Sequence, residues 1–254
     1  MVDQLTLIAN LEKWYQTPLG SELLATEKTA LDQLLPTLFG YHLLQLGGPC
    51  ASDLLENSKI PHRVRLSPKT NSRYKGPCIQ CAYEALPVLA SSIDVMLILQ
   101  ILALANNPQQ VLLQSYDALV PEGVLVIFGF NRLSLFGGAD LMCNSKKVPW
   151  HNMFLPAYKV RKWLTQVGFS VVDYQTLFFR PPLDQERLLG KINFLETIGK
   201  VCWSSFGGVY LIVAKKQKIP CTPLWDKMLA RRAQIRKVAV QSSSNRSVHD
   251  DSTS

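Results

Sequence analysis

Two almost wholly apolar runs, separated by the pattern of one capped helix, constrain this chain more than any other feature. Ile93 to Leu99 and Val124 to Phe128 carry nearly continuous aliphatic and aromatic residues. Such runs fit strands buried on both faces of a parallel sheet. Between them Asn107 offers a helix N-cap, and Pro108 stands at the first helical position, where its missing N–H costs nothing. Leu112, Tyr116 and Leu119 then fall on one stripe, and Pro121-Glu122-Gly123 predicts the helix end. A strand, a helix and a second strand at this spacing form a right-handed crossover between parallel neighbours.

The same alternation extends in both directions. The spacing of Leu24, Leu31, Leu34 and Leu35 predicts a helix over 21–35, with Ser21 as its cap and Pro36 ending it. Tyr41 to Leu46 reads as a strand stopped by Gly47, Gly48 and Pro49, and a short helix is expected from Ser52 to Asn57. His62 to Leu66 and Cys78 to Tyr83 are further strand candidates. Pro156 opens a helix whose apolar face carries Val160, Trp163, Leu164 and Val167, and Gly168 suits its C-terminal cap. Phe169 to Phe179 reads as a long strand, an amphipathic stretch spans Gln185 to Trp203, and Val209 to Ala214 is the last strand. The expected architecture is a Rossmann-like three-layer α/β sandwich with a mostly parallel seven-stranded sheet and an antiparallel last strand.

Composition sets the class and the partners. A 47% hydrophobic content over 254 residues supplies a large core, which argues against disorder. The net charge of +8 is uneven: residues 1–214 carry +2 and residues 215–254 carry +6. We expect an α/β domain over 1–214 and a basic, Ser-rich, disordered tail over 215–254 that either solvates the protein or contacts nucleic acid. Stacking on single strands needs aromatic residues, and the tail offers Trp225 alone. The longest apolar run, Val95 to Ala105, is interrupted by Gln100 and is too short for a membrane span. Six scattered cysteines without a leader pattern point to reduced thiols in the cytoplasm. Cys78-Ile79-Gln80-Cys81 has no second pair at zinc spacing, so buried thiols are the expectation there.

Four segments in order carry a resemblance: Leu43-Leu44-Gln45-Leu46-Gly47-Gly48; Glu84-Ala85-Leu86-Pro87; Ile93-Asp94-Val95 leading to Asn107-Pro108; and Leu119-Val120-Pro121-Glu122-Gly123-Val124-Leu125-Val126-Ile127. Over roughly residues 20–180 the chain resembles the class I S-adenosylmethionine (SAM)-dependent methyltransferases, in particular the type 11 group. Gly129-Phe130-Asn131-Arg132-Leu133-Ser134-Leu135-Phe136-Gly137 looks like a longer signature of an uncharacterised bacterial branch of that group. The resemblance implies SAM as cofactor and a small or medium-sized molecule as methyl acceptor. It also leaves room for two other roles: a binding or scaffold protein on the same fold, or RNA methylation aided by the tail.

The resemblance places the cofactor beside Gly47 and Gly48, where only glycine lets backbone approach closely. Leu99 and Gln100 line the site after the fourth strand. At three anchor positions the chain departs from the family's pattern. Gln45 stands where an acid is expected in the first motif, Ser67 where an acid ends strand two, and Ala82, beside Tyr83, where an Asp meets adenine. Glu84 is the nearest acid that can substitute. Each lost charge-assisted hydrogen bond is worth roughly 1.5–3 kcal/mol, so two losses weaken affinity by on the order of a hundredfold. Asn131, ending a central strand, is a candidate for shaping the substrate pocket or for taking a turn conformation. His151 is a candidate base or substrate contact, with Asp140 and Tyr158 in the same stretch; each also reads as an ordinary surface or packing residue. Methyl transfer is catalysed largely by positioning, so no single catalytic residue is demanded.

Overall fold

The computed structural model describes residues 4–49, 53–68, 76–131, 134, 154–179 and 207–217. Two helices come first, α1 (Gln4–Trp14) and α2 (Pro18–Leu34), followed by a 3-10 turn at Leu35–Thr37. Strands β1 (His42–Gly47), β2 (His62–Ser67), β3 (Cys78–Gln80) and β4 (Ile93–Leu99) follow. Then come α3 (Ile101–Leu104), α4 (Pro108–Ala118), β5 (Leu119–Phe130), α5 (Ala157–Val167), β6 (Phe169–Leu177) and β7 (Val209–Lys216).

The seven strands lie in the order β3-β2-β1-β4-β5-β7-β6. β1 to β5 pair in parallel, while β7 runs antiparallel to both β5 and β6. The expected sheet, including its antiparallel last strand, is the sheet observed. Strand order reverses between β1 and β4, and in open parallel sheets ligands bind beyond the carboxyl ends at such a point. β4 and the distal half of β5 are buried on both faces, which accounts for their unbroken apolar sequence.

Local chemistry explains the element ends. Asn107 caps α4 by accepting from the Gln110 N–H, with Pro108 at the first position. Gly168 closes α5 at φ 111°, a conformation glycine adopts without strain. The start of β1 is tied to β4 by Asp94, whose carboxylate accepts from the Tyr41 and His42 N–H groups at 2.9 Å each.

Several expected boundaries move. The second helix begins at Pro18, capped by the Thr17 hydroxyl rather than by Ser21, because Thr17 precedes a proline suited to the first turn. Residues 4–14 form a helix that the reading left unassigned. α4 ends at Ala118, not at Pro121, because Leu119 already pairs with Ile93 in the sheet; residues 120–123 then make an excursion before Val124 pairs with Val95. The helix expected from Ser52 to Asn57 is not there: residues 54–57 form turns, and the Asp53 carboxylate accepts the Leu55 N–H in a local turn. β3 is only three residues long, β6 stops at Leu177, and β7 continues to Lys216. The stretch from Gln185 to Trp203 lies outside the described residues.

Candidate functional site

The glycine turn after β1 is built by its neighbours. Gly47 and Gly48 have φ of 73° and 84°. A Cβ on Gly47 would come within 2.4 Å of the Ile101 side chain and 2.9 Å of the Leu99 carbonyl. On Gly48 it would meet Leu99 at 2.5 Å. Gly47 is therefore required by contact with the backbone at the end of β4 as well as by its conformation, and Gly48 chiefly by its conformation. Gln45 is buried and closes the turn from within, its amide donating to the Gly47 carbonyl at 2.8 Å.

No helix follows the turn among the described residues of the β1–β2 connection. Arginines take over that work. Arg63 and Arg65 lie two apart on β2 and so on one face of the strand. Arg63 donates to the Leu55 carbonyl at 2.6 Å. Arg65, 1% exposed, donates to the carbonyls of Gly48 and Pro49. A buried guanidinium thus fixes the backbone of the turn. Ser67 ends β2 and is buried beside Tyr83, whose phenol is pushed above its usual value by burial, against the opposing effects of Ser67 and Arg65.

Gln100 directly follows β4 at φ 55° and is 1% exposed. Its amide N–H donates to a carboxylate oxygen of Glu27, and its own Oε1 is buried without a hydrogen-bond partner. Glu27 belongs to α2 and is fully buried. Its other oxygen accepts from the Tyr15 hydroxyl at 3.4 Å. Burial pushes the Glu27 carboxyl up to about 8, although the hydrogen bonds from Gln100 and Tyr15 pull the other way. The Tyr15 phenol is also raised, first by burial and then by Glu27. Trp14 stands edge-on to Tyr15 and to Phe130, and Phe130 to Phe154, so aromatic rings gather where α1 meets the end of β5.

The structure thus brings Gln45, Gly47, Gly48, Ser67, Tyr83, Leu99 and Gln100 to the carboxyl ends of β1, β2 and β4 or directly after β3 and β4. Other candidates lie elsewhere or serve the backbone. Ala82 is exposed. Glu84 accepts the Asn106 N–H at 3.0 Å, bracing the turn before α4. Asn131 donates to the Gly207 carbonyl at 3.0 Å and joins the ends of β5 and β7. Tyr158 is 70% exposed on the first turn of α5 and lines a groove with Arg161, Phe169 and Gln217; Phe169 begins β6 and Gln217 follows β7, so the groove is separated from β1 by β4 and β5. His151 and Asp140 lie outside the described residues. Cys78 and Cys81 are free, half-buried thiols, and burial followed by the neighbouring Cys78 pushes Cys81 up to about 11. No group of residues suited to a metal occurs among the described residues. Nor is any described helix long and apolar enough to cross a membrane.

Glu27, Tyr15 and Arg65 were missed by the sequence reading. One signal was present: Glu27 interrupts an i, i+4 row with Leu23 and Leu31, so an acid stands inside an apolar stripe.

No protein-family model matches the chain. It is 26% identical to the uncharacterized protein YafS of Escherichia coli (strain K12) over 227 residues, 88% of each chain. Among solved structures it is similar to a SAM-dependent methyltransferase from Thermotoga maritima, with TM-score 0.58 and 18% identity, covering 81% of this chain and 94% of that one. It is also similar to the plantazolicin methyltransferase BpumL in complex with S-adenosylhomocysteine (SAH), with TM-score 0.51 and 17% identity, covering 84% and 96%. The chain therefore has the α/β fold of the SAM-dependent methyltransferases, with its glycine turn where the strand order reverses.

Proposed function

We propose that the protein transfers a methyl group from SAM to a small or medium-sized molecule. The observation that carries this reading is the buried polar cluster beside the glycine turn: Gln100, left-handed at the end of β4, keeps an unpartnered acceptor in a solvent-excluded place. An unmatched buried acceptor costs about 1–3 kcal/mol unless something binds it. A buried acceptor fits the nucleoside and amino-acid parts of SAM, which offer hydroxyl, amine and ammonium donors. When bound, SAM supplies a sulfonium-activated methyl group. Gly47 and Gly48 would hold the amino-acid portion through backbone, and Ser67 and Tyr83 would meet the nucleoside. Leu99 and Gln100 would line the side facing β4. The chain contributes position and exclusion of water, and the aromatic rings of Trp14, Phe130 and Phe154 would wall an apolar part of the acceptor.

A second reading is a binding protein on the same fold, with catalysis lost. It is favoured by the neutral anchors: Gln45 is spent on its own turn and Ala82 is exposed. RNA as the acceptor is the remaining form of the proposal, with the basic residues beyond Gln217, after the end of β7, steering it; that binding would weaken steeply with salt and depend on those residues. Calorimetric titration with SAH decides between the first two. Micromolar binding is expected for the methyltransferase. An absence of heat at high micromolar protein leaves the binding protein as the better reading.

A further inference from the structure

We propose that Glu27 is the carboxylate that anchors the cationic end of the methyl donor, replacing the acid absent from the end of β1. This inference rests on the methyl-donor reading above and goes beyond it by assigning the counter-charge to a helix that precedes the sheet.

The chain's own strands offer no acid at this place. Gln45 occupies the expected position in β1 and turns its amide onto Gly47. Arg65 adds positive charge beneath the turn by holding Gly48 and Pro49. A sulfonium or ammonium arriving here therefore needs a negative partner from another element. α2 supplies one. Glu27 reaches Gln100, the residue directly after Leu99, and Leu99 is paired with Gly47 in the sheet. The Gln100 Oε1, on the amide that meets Glu27, is buried without a hydrogen-bond partner and adds an acceptor at the same point.

Glu27 joins Tyr15 and Gln100 by hydrogen bonds, at the cost of a carboxyl held out of water. A leucine continuing the Leu23–Leu31 row would bury more apolar surface without a desolvated carboxyl. The groups acting on Glu27 are the Tyr15 phenol from α1 and the Gln100 amide from the end of β4, both neutral. Without a cation the carboxyl is thus kept protonated. A docked cation reverses the balance, since an opposite charge within a few ångströms favours the ionised form. Binding then expels the Glu27 proton to solvent, Gln100 and Tyr15 remaining as donors to the carboxylate. The proton lost by Glu27 is the one that appears in the buffer, so charge balances.

The test is titration of the full chain with SAM and with SAH at pH 6.5, in two buffers of different ionisation enthalpy. At that pH the ligand amine is already protonated. Wild type is expected to release about one proton per ligand bound. Glu27→Gln, which imitates the protonated side chain and so keeps the packing, is expected to release none and to bind about tenfold to a hundredfold more weakly. Release with both ligands places the ammonium against Glu27; release with SAM alone places the sulfonium there. Binding without proton release in wild type, or unchanged affinity and release in Glu27→Gln, overturns the assignment while leaving the methyl-donor reading intact. If wild type binds neither ligand, that reading falls and the assignment falls with it.

Discussion

Glu27 makes folding stability depend on pH in a definite direction. Its folded carboxyl titrates at about 8, whereas an exposed one titrates near 4.5. Between those values the folded state holds a proton that the unfolded chain has released. Its contribution is therefore fully present below about 4.5 and is lost as pH rises through about 8. Glu27→Gln removes that dependence. We expect the variant to gain stability relative to wild type as pH goes from 5 to 9, read as the difference in thermal midpoint; a constant difference would mean that Glu27 ionises normally in the folded protein. At this scale, residues whose role is local were legible. Asn107 and Gly168 act on backbone within a few positions of themselves, so their sequence context suffices. Glu27, Arg65 and Tyr15 were not: Arg65 meets Gly48 only once β1 and β2 pair, and Glu27 meets Gln100 and Tyr15 only after the helices dock on the sheet.

At the scale of elements, the β1–β2 connection shows how a missing helix is replaced. A crossover helix satisfies its own backbone, whereas a turn-rich segment leaves carbonyls to be met from outside. Arg63 and Arg65 meet three of them, at Leu55, Gly48 and Pro49. Arg65→Met keeps the aliphatic stem and removes both donors of that residue. It should cost about 1–3 kcal/mol for each buried carbonyl released, measured by urea denaturation; a loss below about 0.5 kcal/mol would show that the turn holds itself. The expected helix at 52–57 failed for the same local reason. Leu54 and Leu55 look like a helical pair, but Asp53 takes the Leu55 N–H for itself, and a segment this short cannot repay helix nucleation. The strands were easier to read, since burial on both faces writes itself as an apolar run.

For the whole molecule, the alternation of strands and helices gave the layer architecture, and the antiparallel sense of the last strand was readable from its connection. Its place between β5 and β6 was not, because nothing in a strand's own pattern names its neighbours. The order predicts a gradient of protection. Amides of β4 and β5, central and buried on both faces, should exchange most slowly, and those of the three-residue edge strand β3 most quickly. Hydrogen exchange followed by mass spectrometry checks this; equal protection across the sheet would contradict it. The insertion of β7 also bears on how the protein is made. As the ribosome delivers the chain from its N-terminus, β1 to β5 can assemble as soon as they emerge, but β6, which pairs with β7 alone, has no partner until β7 follows it. One rim of the sheet is therefore exposed throughout the synthesis of the intervening residues, and the molecule closes only when its last strand slides in between two that were already waiting.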